Sequence, residues 1–411
     1  MKETWKTEET GQMEETGHVE EESFQRYNIF RLNLEYYFLF IIVLVLSILG
    51  IIMVSSSSVA VGDMYFNDPY WFVRRQVIWW VISFIVFIIT SKINYRFYSK
   101  ISVVFLLISI GLLAIVLIPG VSPVIGESRR WINLSFFNFQ PSEVAKIALI
   151  IFISDSLNKR YNDKPVMRNI LWPSFAALAI VTLLIFLEPD FGTVIIIWVS
   201  VFILFFIGNA RFPHMLSLGG LGLVTLVAYM FMEEYRRERI FAFLNKTDAV
   251  SGANFQVNQS LIALGSGHLF GLGLGNSIQK YSYLPEAHSD FIFAILGEET
   301  GLVGTLVLIM LFLAFVFFGI RVCLKTKDYF GRTLAGTITG MIAAQAIINI
   351  CVVIGVLPVT GLTLPFLSSG GTSLLISMAS AGIVLNIARQ NFTMLKKRDN
   401  ELAGTLKEDD K

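Results

Sequence analysis

The chain is poor in charge and in cysteine for its length. Of its 411 residues, 15% are charged, 55% are hydrophobic and two are cysteines. A soluble domain averages about 25% charged and about 45–50% apolar residues. This composition therefore excludes a soluble enzyme and a nucleic-acid binder, and two cysteines exclude a disulfide-stapled secreted module. With 32 Lys and Arg against 31 Asp and Glu, a net charge of +1 gives no field that would attract a polyanion.

The two cysteines and the first 30 residues complete this picture. Cys323 and Cys351 lie in apolar stretches, which is typical of packing residues. The N-terminal segment lacks the basic start and short apolar region of a signal peptide. It is predicted to be a disordered acidic tail (1–30), because few apolar residues accompany its eight glutamates, Glu3, Glu8, Glu9, Glu14, Glu15, Glu20, Glu21 and Glu22.

Apolar runs recur through the rest of the chain and predict an all-α integral membrane protein. A membrane-spanning helix needs about 20 apolar residues. Residues 31–390 would form one polytopic domain, followed by a cytoplasmic tail (391–411), and the eighth apolar run is long enough to be strongly tilted or broken. The ten predicted helices are 36–57, 76–92, 101–118, 141–157, 170–187, 192–209, 215–232, 291–320, 333–356 and 372–389.

Basic residues in the short connections predict the orientation. Ten spans put both termini on one side, and an excess of Lys and Arg marks the cytoplasmic side. The four short connections on the opposite side hold only Arg74, Arg75, Arg129 and Arg130. Both termini are therefore predicted to be cytoplasmic, with a long outer loop at about 233–290 between helices 7 and 8. The basic residues on the side of the termini are Lys92, Arg96, Lys100, Lys159, Arg160, Lys164, Arg168, Arg211, Arg321, Lys325, Lys327 and Arg332.

The first polar segment of the predicted outer face precedes helix 4. Arg129 and Arg130 stand beside Trp131, and an arginine fork near a helix N-terminus can receive phosphate oxygens. Glu143 and Lys146 are three residues apart on one helix face. An interfacial anchor with a local ion pair is the alternative interpretation. Glu143 could orient Lys146 or hold a divalent ion.

Two further polar segments carry weaker signals. Asp190, in the turn Glu188-Pro-Asp-Phe-Gly192, is either functional or the cap of the following helix. The outer loop contains Gly271-Leu-Gly-Leu-Gly275, which follows no predicted strand. A flexible or closely packed glycine segment is therefore the better interpretation, rather than a dinucleotide loop.

The fourth polar segment leads directly into helix 8. Asp290 is its last polar residue before the helix, where partial desolvation would make a carboxylate more basic. Glu286 and His288 are near enough in sequence to tune it. A helix N-cap is the alternative role for Asp290.

A last outer segment, 357–373, is rich in Gly, Pro, Ser and Thr. Backbone N–H groups around Gly370 and Gly371 could line a helix N-terminus that faces an anion. Proline and glycine at membrane depth are tolerated only where the backbone is buried in protein or faces a cavity.

Together and in this order, these segments resemble the SEDS family (shape, elongation, division and sporulation), of the FtsW, RodA and SpoVE type. The resemblance runs from about residue 36 to 390. It departs at Ser369, where the family usually has tyrosine. Residues 286–293 and 361–365 look closer to division and sporulation members. The stretches that carry the resemblance are 129–132, 140–143 with Lys146, 188–193, 284–299 and 357–373.

The resemblance implies a ten-helix glycosyltransferase that polymerises lipid II beside a class B penicillin-binding protein. It also implies a catalytic aspartate at the position of Asp290. Arg129, Arg130 and Lys146 are then candidates for the pyrophosphate. A lipid II transporter, with Asp155, Glu298 and Glu299 as its intramembrane polar residues, and a non-catalytic scaffold for the penicillin-binding protein are the alternatives.

Overall fold

The computed structural model describes residues 3–120, 122, 130–133, 138–161, 167–210, 212–231, 253–281 and 284–409. For some stretches, including 3–33 and 394–409, it describes the backbone alone. Arg129 lies outside these residues. The described part contains eleven helices and one short hairpin, so its architecture is almost entirely α-helical.

Short turns join some consecutive helices, and longer segments precede α4, α8, α9 and α11. The hairpin pairs β1 (Ile132–Asn133) with β2 (Asn138–Phe139), antiparallel, between α3 and α4. The helices are α1 (Glu3–Phe66), α2 (Trp71–Lys92), α3 (Arg96–Val116), α4 (Pro141–Tyr161), α5 (Met167–Leu187), α6 (Phe191–Ile207), α7 (Phe212–Phe231), α8 (Ala253–Ser266), α9 (Ile292–Lys325), α10 (Tyr329–Val353) and α11 (Gly371–Asp409).

Each of the ten predicted helices overlaps one of these helices. The additional helix is α8, which the sequence analysis left inside the long outer loop. Among the described residues, six helices are long and apolar enough to cross a membrane, and α5, α6 and α7 contain shorter apolar helical segments. The apolar runs therefore located the helices, and six of them meet the combined requirements of length and apolar composition among the described residues.

The first helix differs from the prediction of a disordered tail at 1–30. Its backbone is helical from Glu3, and it continues without a break into the apolar segment Leu34–Phe66. Glutamate has a high helix propensity, and a helix that is already nucleated extends at little cost. At the other end of the chain, α11 likewise continues to Asp409 through the predicted C-terminal tail.

The eighth predicted helix is broken, as its length indicated. Within α9, Gly301 has φ of +67° and ψ of −165°, which is not helical. A side chain at this residue would collide with the backbone of Leu269 and Gly271. The break therefore admits a neighbouring loop, whose backbone takes up the hydrogen bonds of α9.

Polar contacts between helices concentrate at two opposite ends of the bundle. At one end, Glu35 accepts from both Arg321 and Lys325, at 2.8 Å each. At the other end, Thr372 at the start of α11 accepts from the backbone N–H of Gln140 at 3.2 Å. The second end, where α4, α6, α9 and α11 begin, also holds the residues that the sequence analysis selected. We call it the site end.

Candidate active site

Asp290 lies in the turn immediately before α9 and is half-buried. Asn349 on α10 donates to the Asp290 backbone carbonyl at 2.8 Å and to the Leu362 carbonyl at 2.6 Å. A side chain added at Gly361 would lie 3.7 Å from Asp290 Oδ2. The N-cap of α9 is Phe291, so the cap position that was the alternative for Asp290 belongs to its neighbour. The carboxylate is therefore held beside the backbone of the 357–370 segment.

The 357–370 segment is fastened to the turn that carries Asp290. Ser368 Oγ donates to the Ser289 carbonyl at 2.7 Å, and the Ser369 N–H donates to the His288 carbonyl at 2.9 Å. Ser369 thus contributes through its backbone, so having serine where the family usually has tyrosine leaves this contact in place. These bonds fix the backbone of the turn just before Asp290.

Of two amide side chains on α10, one binds the Asp290 backbone and the other binds Lys146. Gln345 and Asn349 are four residues apart, so they lie on one face of the helix. Gln345 Nε2 donates to the Thr363 carbonyl at 3.0 Å, and its Oε1 accepts from Lys146 at 3.2 Å. Sequence reasoning missed both residues. The signal that could have found them is a pair of amides at helical spacing in the otherwise apolar second half of α10 (341–353).

Lys146 and Glu143 form a buried ion pair. Their Nζ and Oε1 atoms are 2.9 Å apart, and both side chains are almost fully buried. This contact matches the orienting role that the spacing allowed for Glu143. The described residues contain no group of three or more His, Cys, Asp or Glu side chains that could hold a metal ion.

Asp190 caps α6 and also ties the start of α4 to it. It accepts from the Thr193 N–H at 3.2 Å, from Ser142 at 3.1 Å and from Gln140 at 3.0 Å. Burial acts to raise the pKa of Asp190. The positive charge of Arg130, the hydrogen bonds from Thr193 and the positive charge of Lys146 together outweigh burial and hold the pKa below its usual value. The capping interpretation is thus confirmed, and the carboxylate is an anionic junction between α4 and α6.

The Arg130 guanidinium binds the 188–190 turn. It donates to the Glu188 carbonyl at 3.2 Å and also contacts the Pro189 carbonyl. A turn between helices leaves carbonyls unpaired, and a guanidinium can satisfy two at once. Arg130 also lies near Asp190, whose carboxylate accepts from Gln140 and Ser142 at the start of α4. Phosphate binding by Arg130 at this place stays a prediction.

Glu188, next to these groups, is fully buried, and neither carboxyl oxygen has a hydrogen-bond partner among the described residues. Burial, with a further contribution from Asp190, raises its pKa to about 9, although Arg130 opposes the shift. The neutral acid is therefore the form that the fold accommodates at pH 7.

Replacing Glu188 with glutamine should remove a loss of folding stability that depends on pH. At pH values between 4.5, the ordinary pKa of a glutamate, and about 9, the pKa of Glu188 in the folded protein, the folded protein keeps a proton that the unfolded chain releases. Stability consequently falls as the pH rises through that window, by about 1.4 kcal/mol per unit at most. We expect Glu188→Gln to match the wild type near pH 4.5 and to unfold at a higher temperature at pH 8. Thermal unfolding of the wild type and the variant in detergent at the two pH values measures the difference. A difference that does not change with pH would show that it does not arise from the Glu188 proton.

Glu286 and His288 lie on the same turn as Asp290. Glu286 accepts a hydrogen bond from Ser289 Oγ at 2.7 Å. The backbone of Glu286 has a positive φ of 55°. The His288 ring packs against Phe72 with ring centroids 4.5 Å apart. Burial lowers the pKa of His288 although Glu286 acts in the opposite direction, so the neutral imidazole is favoured. That these two residues tune Asp290 stays a prediction.

Gly370 and Gly371 lie where α11 begins. The Gly370 carbonyl accepts from the Leu374 N–H at 2.8 Å. A side chain at Gly371 would overlap the Trp79 indole, so a close helix–ring contact explains this glycine. Anion binding by the backbone of these two residues stays a prediction.

The carboxylates that a transport path would need are engaged in structural contacts. Asp155 accepts from Ser99 at 2.5 Å, from Ser102 at 2.6 Å and from Lys159 at 2.7 Å. Glu299 pairs with Lys280 at 3.2 Å, and Glu298 accepts from Ser277 at 2.5 Å. These contacts are typical of residues that join helices and loops.

The bundle of apolar helices, six of them long and apolar enough to cross a membrane among the described residues, defines a multi-pass membrane protein. The family model described as "Cell cycle protein" (FtsW/RodA/SpoVE) matches residues 36–393. The chain belongs to this family.

Named relatives extend this assignment. The chain is 40% identical over 351 residues to "Stage V sporulation protein E" of Bacillus subtilis, a match that covers 85% of this chain and 96% of the relative. It is 37% identical over 343 residues to "Probable peptidoglycan glycosyltransferase FtsW" of Geobacter sulfurreducens, a match that covers 84% and 92%.

Solved structures share the fold. One, from work described as "Structural coordination of polymerization and crosslinking by a peptidoglycan synthase complex", has a TM-score of 0.67 at 26% identity and covers 86% of this chain and 97% of that chain. The rod shape determining protein RodA of Thermus thermophilus has a TM-score of 0.62 at 25% identity and covers 86% and 96%.

Proposed function

We propose that this protein polymerises lipid II into the glycan strands of peptidoglycan at the outer face of the bacterial cytoplasmic membrane. The observation that carries the proposal is the position of Asp290, half-buried at the site end. Asn349 binds its backbone carbonyl, and Gln345, one turn away on α10, binds the buried cation of Lys146. The relative named "Probable peptidoglycan glycosyltransferase FtsW" supports this activity.

The proposed topology has ten spans, with both termini cytoplasmic and the segment between α7 and α9 outside. Two opposite polar ends support it. One end carries Arg321 and Lys325 around Glu35, as the cytoplasmic excess of basic residues requires. The other end carries Asp290 and would face the lipid-linked sugar outside the cell.

Asp290 is proposed as the general base. The hydroxyl oxygen of one lipid-linked sugar attacks the anomeric carbon of another, the bond to the pyrophosphate oxygen breaks, and the hydroxyl proton passes to Asp290. The undecaprenyl pyrophosphate leaves with the electron pair. A positioned base contributes about 10²–10⁴-fold to such a step.

Positive charge near the base would stabilise the departing pyrophosphate. Lys146 is proposed for this role, held by Glu143 and Gln345 at 2.9 and 3.2 Å. Arg130 would add positive charge from its position on the 188–190 turn, where it binds the Glu188 carbonyl. Arg129 remains a candidate from sequence. A class B penicillin-binding protein is proposed as the partner, supported by the structural neighbour from a synthase complex that coordinates polymerization and crosslinking.

Polymer formation from lipid II by the purified protein in detergent tests this proposal. Detergent micelles have no second compartment, so a transporter alone would give no product, and neither would a scaffold. Glycan strands, seen by gel electrophoresis with and without the partner, are the expected result. Their absence in both conditions would overturn the proposal.

Removing the amide that holds Asp290 should slow polymerisation without a comparable loss of substrate affinity. Asn349→Ala deletes the donor to the Asp290 and Leu362 carbonyls. We expect kcat to fall about tenfold with KM nearly unchanged, because misplacing a reacting group costs rate.

Asn391→Ala is the matched control for Asn349→Ala. Asn391 is also a buried asparagine, and its Nδ2 donates to Thr326 Oγ1 at 2.8 Å at the opposite end of the bundle. Equal effects of the two substitutions on kcat would mean that Asn349 acts only through general stability.

A further inference from the structure

A loop between α8 and α9 exposes an unusual number of large apolar side chains. We call residues 269–281 the apolar loop. Its only charged residue, Lys280, is buried. A contiguous exposed apolar patch on a protein marks a contact with a partner or a membrane. The exposed side chains are Leu269, Phe270, Leu272, Leu274, Ile278 and Tyr281, and Phe270 is 79% exposed.

The apolar loop is docked onto the break in α9. The N–H groups of Leu272 and Gly273 donate to the carbonyls of Glu298 and Glu299, both at 3.0 Å. Gly271, with φ of +78°, lies against the Glu299 carbonyl, where a side chain would collide. The loop therefore has a fixed position relative to α9, and the exposure of its side chains follows from that position.

A buried ion pair secures the same contact. Lys280 Nζ lies 3.2 Å from Glu299 Oε1 and also 3.2 Å from Ser56 Oγ on α1. Ser56 Oγ donates to Glu299 at 2.5 Å. The loop can thus present an uncharged surface because its one charge is neutralised beneath it.

The level of the loop along α9 follows from helix geometry. Beyond Gly301, α9 exposes an apolar stripe, and the next charged residue is Arg321. From Leu302 to Arg321 the helix rises about 30 Å, which is the thickness of the hydrocarbon core of a bilayer. The stripe members are Leu302, Val303, Leu306, Val307, Met310, Leu313 and Phe317.

The loop and the stripe form one continuous apolar surface. The Leu269 carbonyl accepts from the Val303 N–H at 3.2 Å. Val303 also lines a groove of about 400 Å³ on α9, together with Leu306, Val307, Met310 and Leu311. If the stripe lies in hydrocarbon, the loop meets the membrane at the level where acyl chains join the headgroups.

We propose that the apolar loop inserts into one leaflet of the bilayer and anchors the segment before Asp290 at the membrane boundary. The occupant of its exposed face is the upper acyl-chain region of the lipids. Segments of this kind typically bury their apolar face by about 5–10 Å. The inference goes beyond the proposed polymerase activity and holds whether or not Asp290 is a base.

Fluorescent labelling of single cysteines in vesicles tests the insertion. Phe270→Cys, in a Cys323→Ala/Cys351→Ala background, carries an environment-sensitive NBD probe in phosphatidylcholine vesicles. Val307→Cys is the matched probe for hydrocarbon, and Asn67→Cys, in the exposed turn between α1 and α2, is the probe for water.

Quenching by a nitroxide on acyl-chain carbon 5 should be comparable at residues 270 and 307. Quenching by aqueous iodide should be several-fold weaker at residue 270 than at residue 67. Leu274→Cys supplies a second, independent position with the same expectation. Iodide quenching equal to that at residue 67 would overturn the proposal, and so would protection from both quenchers, because protein would then cover the loop.

Discussion

Asp290→Asn should make essentially no glycan polymer while folding and binding lipid II normally. Asparagine has nearly the same shape but cannot accept the hydroxyl proton, so the proposed loss is the about 10²–10⁴-fold that a general base supplies. Asn349 holds the backbone carbonyl of residue 290 and not its side chain, so the turn should keep its position. Polymerisation from purified lipid II measures the loss, and thermal unfolding and lipid II binding measure what is kept.

Asp68→Asn is the matched control for this substitution. Asp68 lies in the turn between α1 and α2, where its carboxylate pairs with Arg74. Asp68→Asn removes the same charge from a carboxylate outside the turn that carries Asp290, so polymerisation should continue at the wild-type rate. A wild-type rate in Asp290→Asn would remove Asp290 from the base role, and a parallel loss of lipid II binding would assign it to holding the substrate.

Lys146→Met should destabilise the protein more than any other substitution considered for the site. It leaves the Glu143 carboxylate buried without its cation, and Gln345 without its donor. Breaking a buried ion pair by removing one partner typically costs about 3–5 kcal/mol. Thermal or denaturant unfolding in detergent at neutral pH measures this loss.

The double variant Glu143→Gln/Lys146→Met separates stability from catalysis. Removing both charges should recover much of the stability, since replacing a buried pair as a whole is often close to neutral. If Lys146 also meets the pyrophosphate, the double variant should stay inactive although it folds.

Lys159→Met is the control for the Lys146 substitutions, because its side chain is 60% exposed. Its partner Asp155 is buried but keeps the hydrogen bonds from Ser99 and Ser102, so we expect Lys159→Met to cost less stability than Lys146→Met. Equal destabilisation by Lys146→Met and Lys159→Met would contradict the ion-pair argument, and a double variant with full activity would remove Lys146 from the proposed chemistry.

Local sequence patterns identified some roles and missed others. The i, i+3 spacing of Glu143 and Lys146 predicted their contact, and the position of Asp190 before an apolar run predicted its cap. The contacts of Arg130 were missed, because its partners are backbone carbonyls 58 and 59 residues away in the chain. Gln345 and Asn349 were missed because nothing local to α10 shows which loops reach it.

The amino-acid sequence by itself determined which segments form helices, where the chain turns and that the protein belongs in a membrane. Those properties depend on apolar runs, glycine, proline and charge within about 20 residues of each other. Only the tertiary structure decided that Asp290, Asn349 and Leu362 meet, and that the apolar loop docks at Gly301. The physical reason is that helix packing is set by side chains far apart in sequence, through steric fit and buried hydrogen bonds that no local pattern encodes.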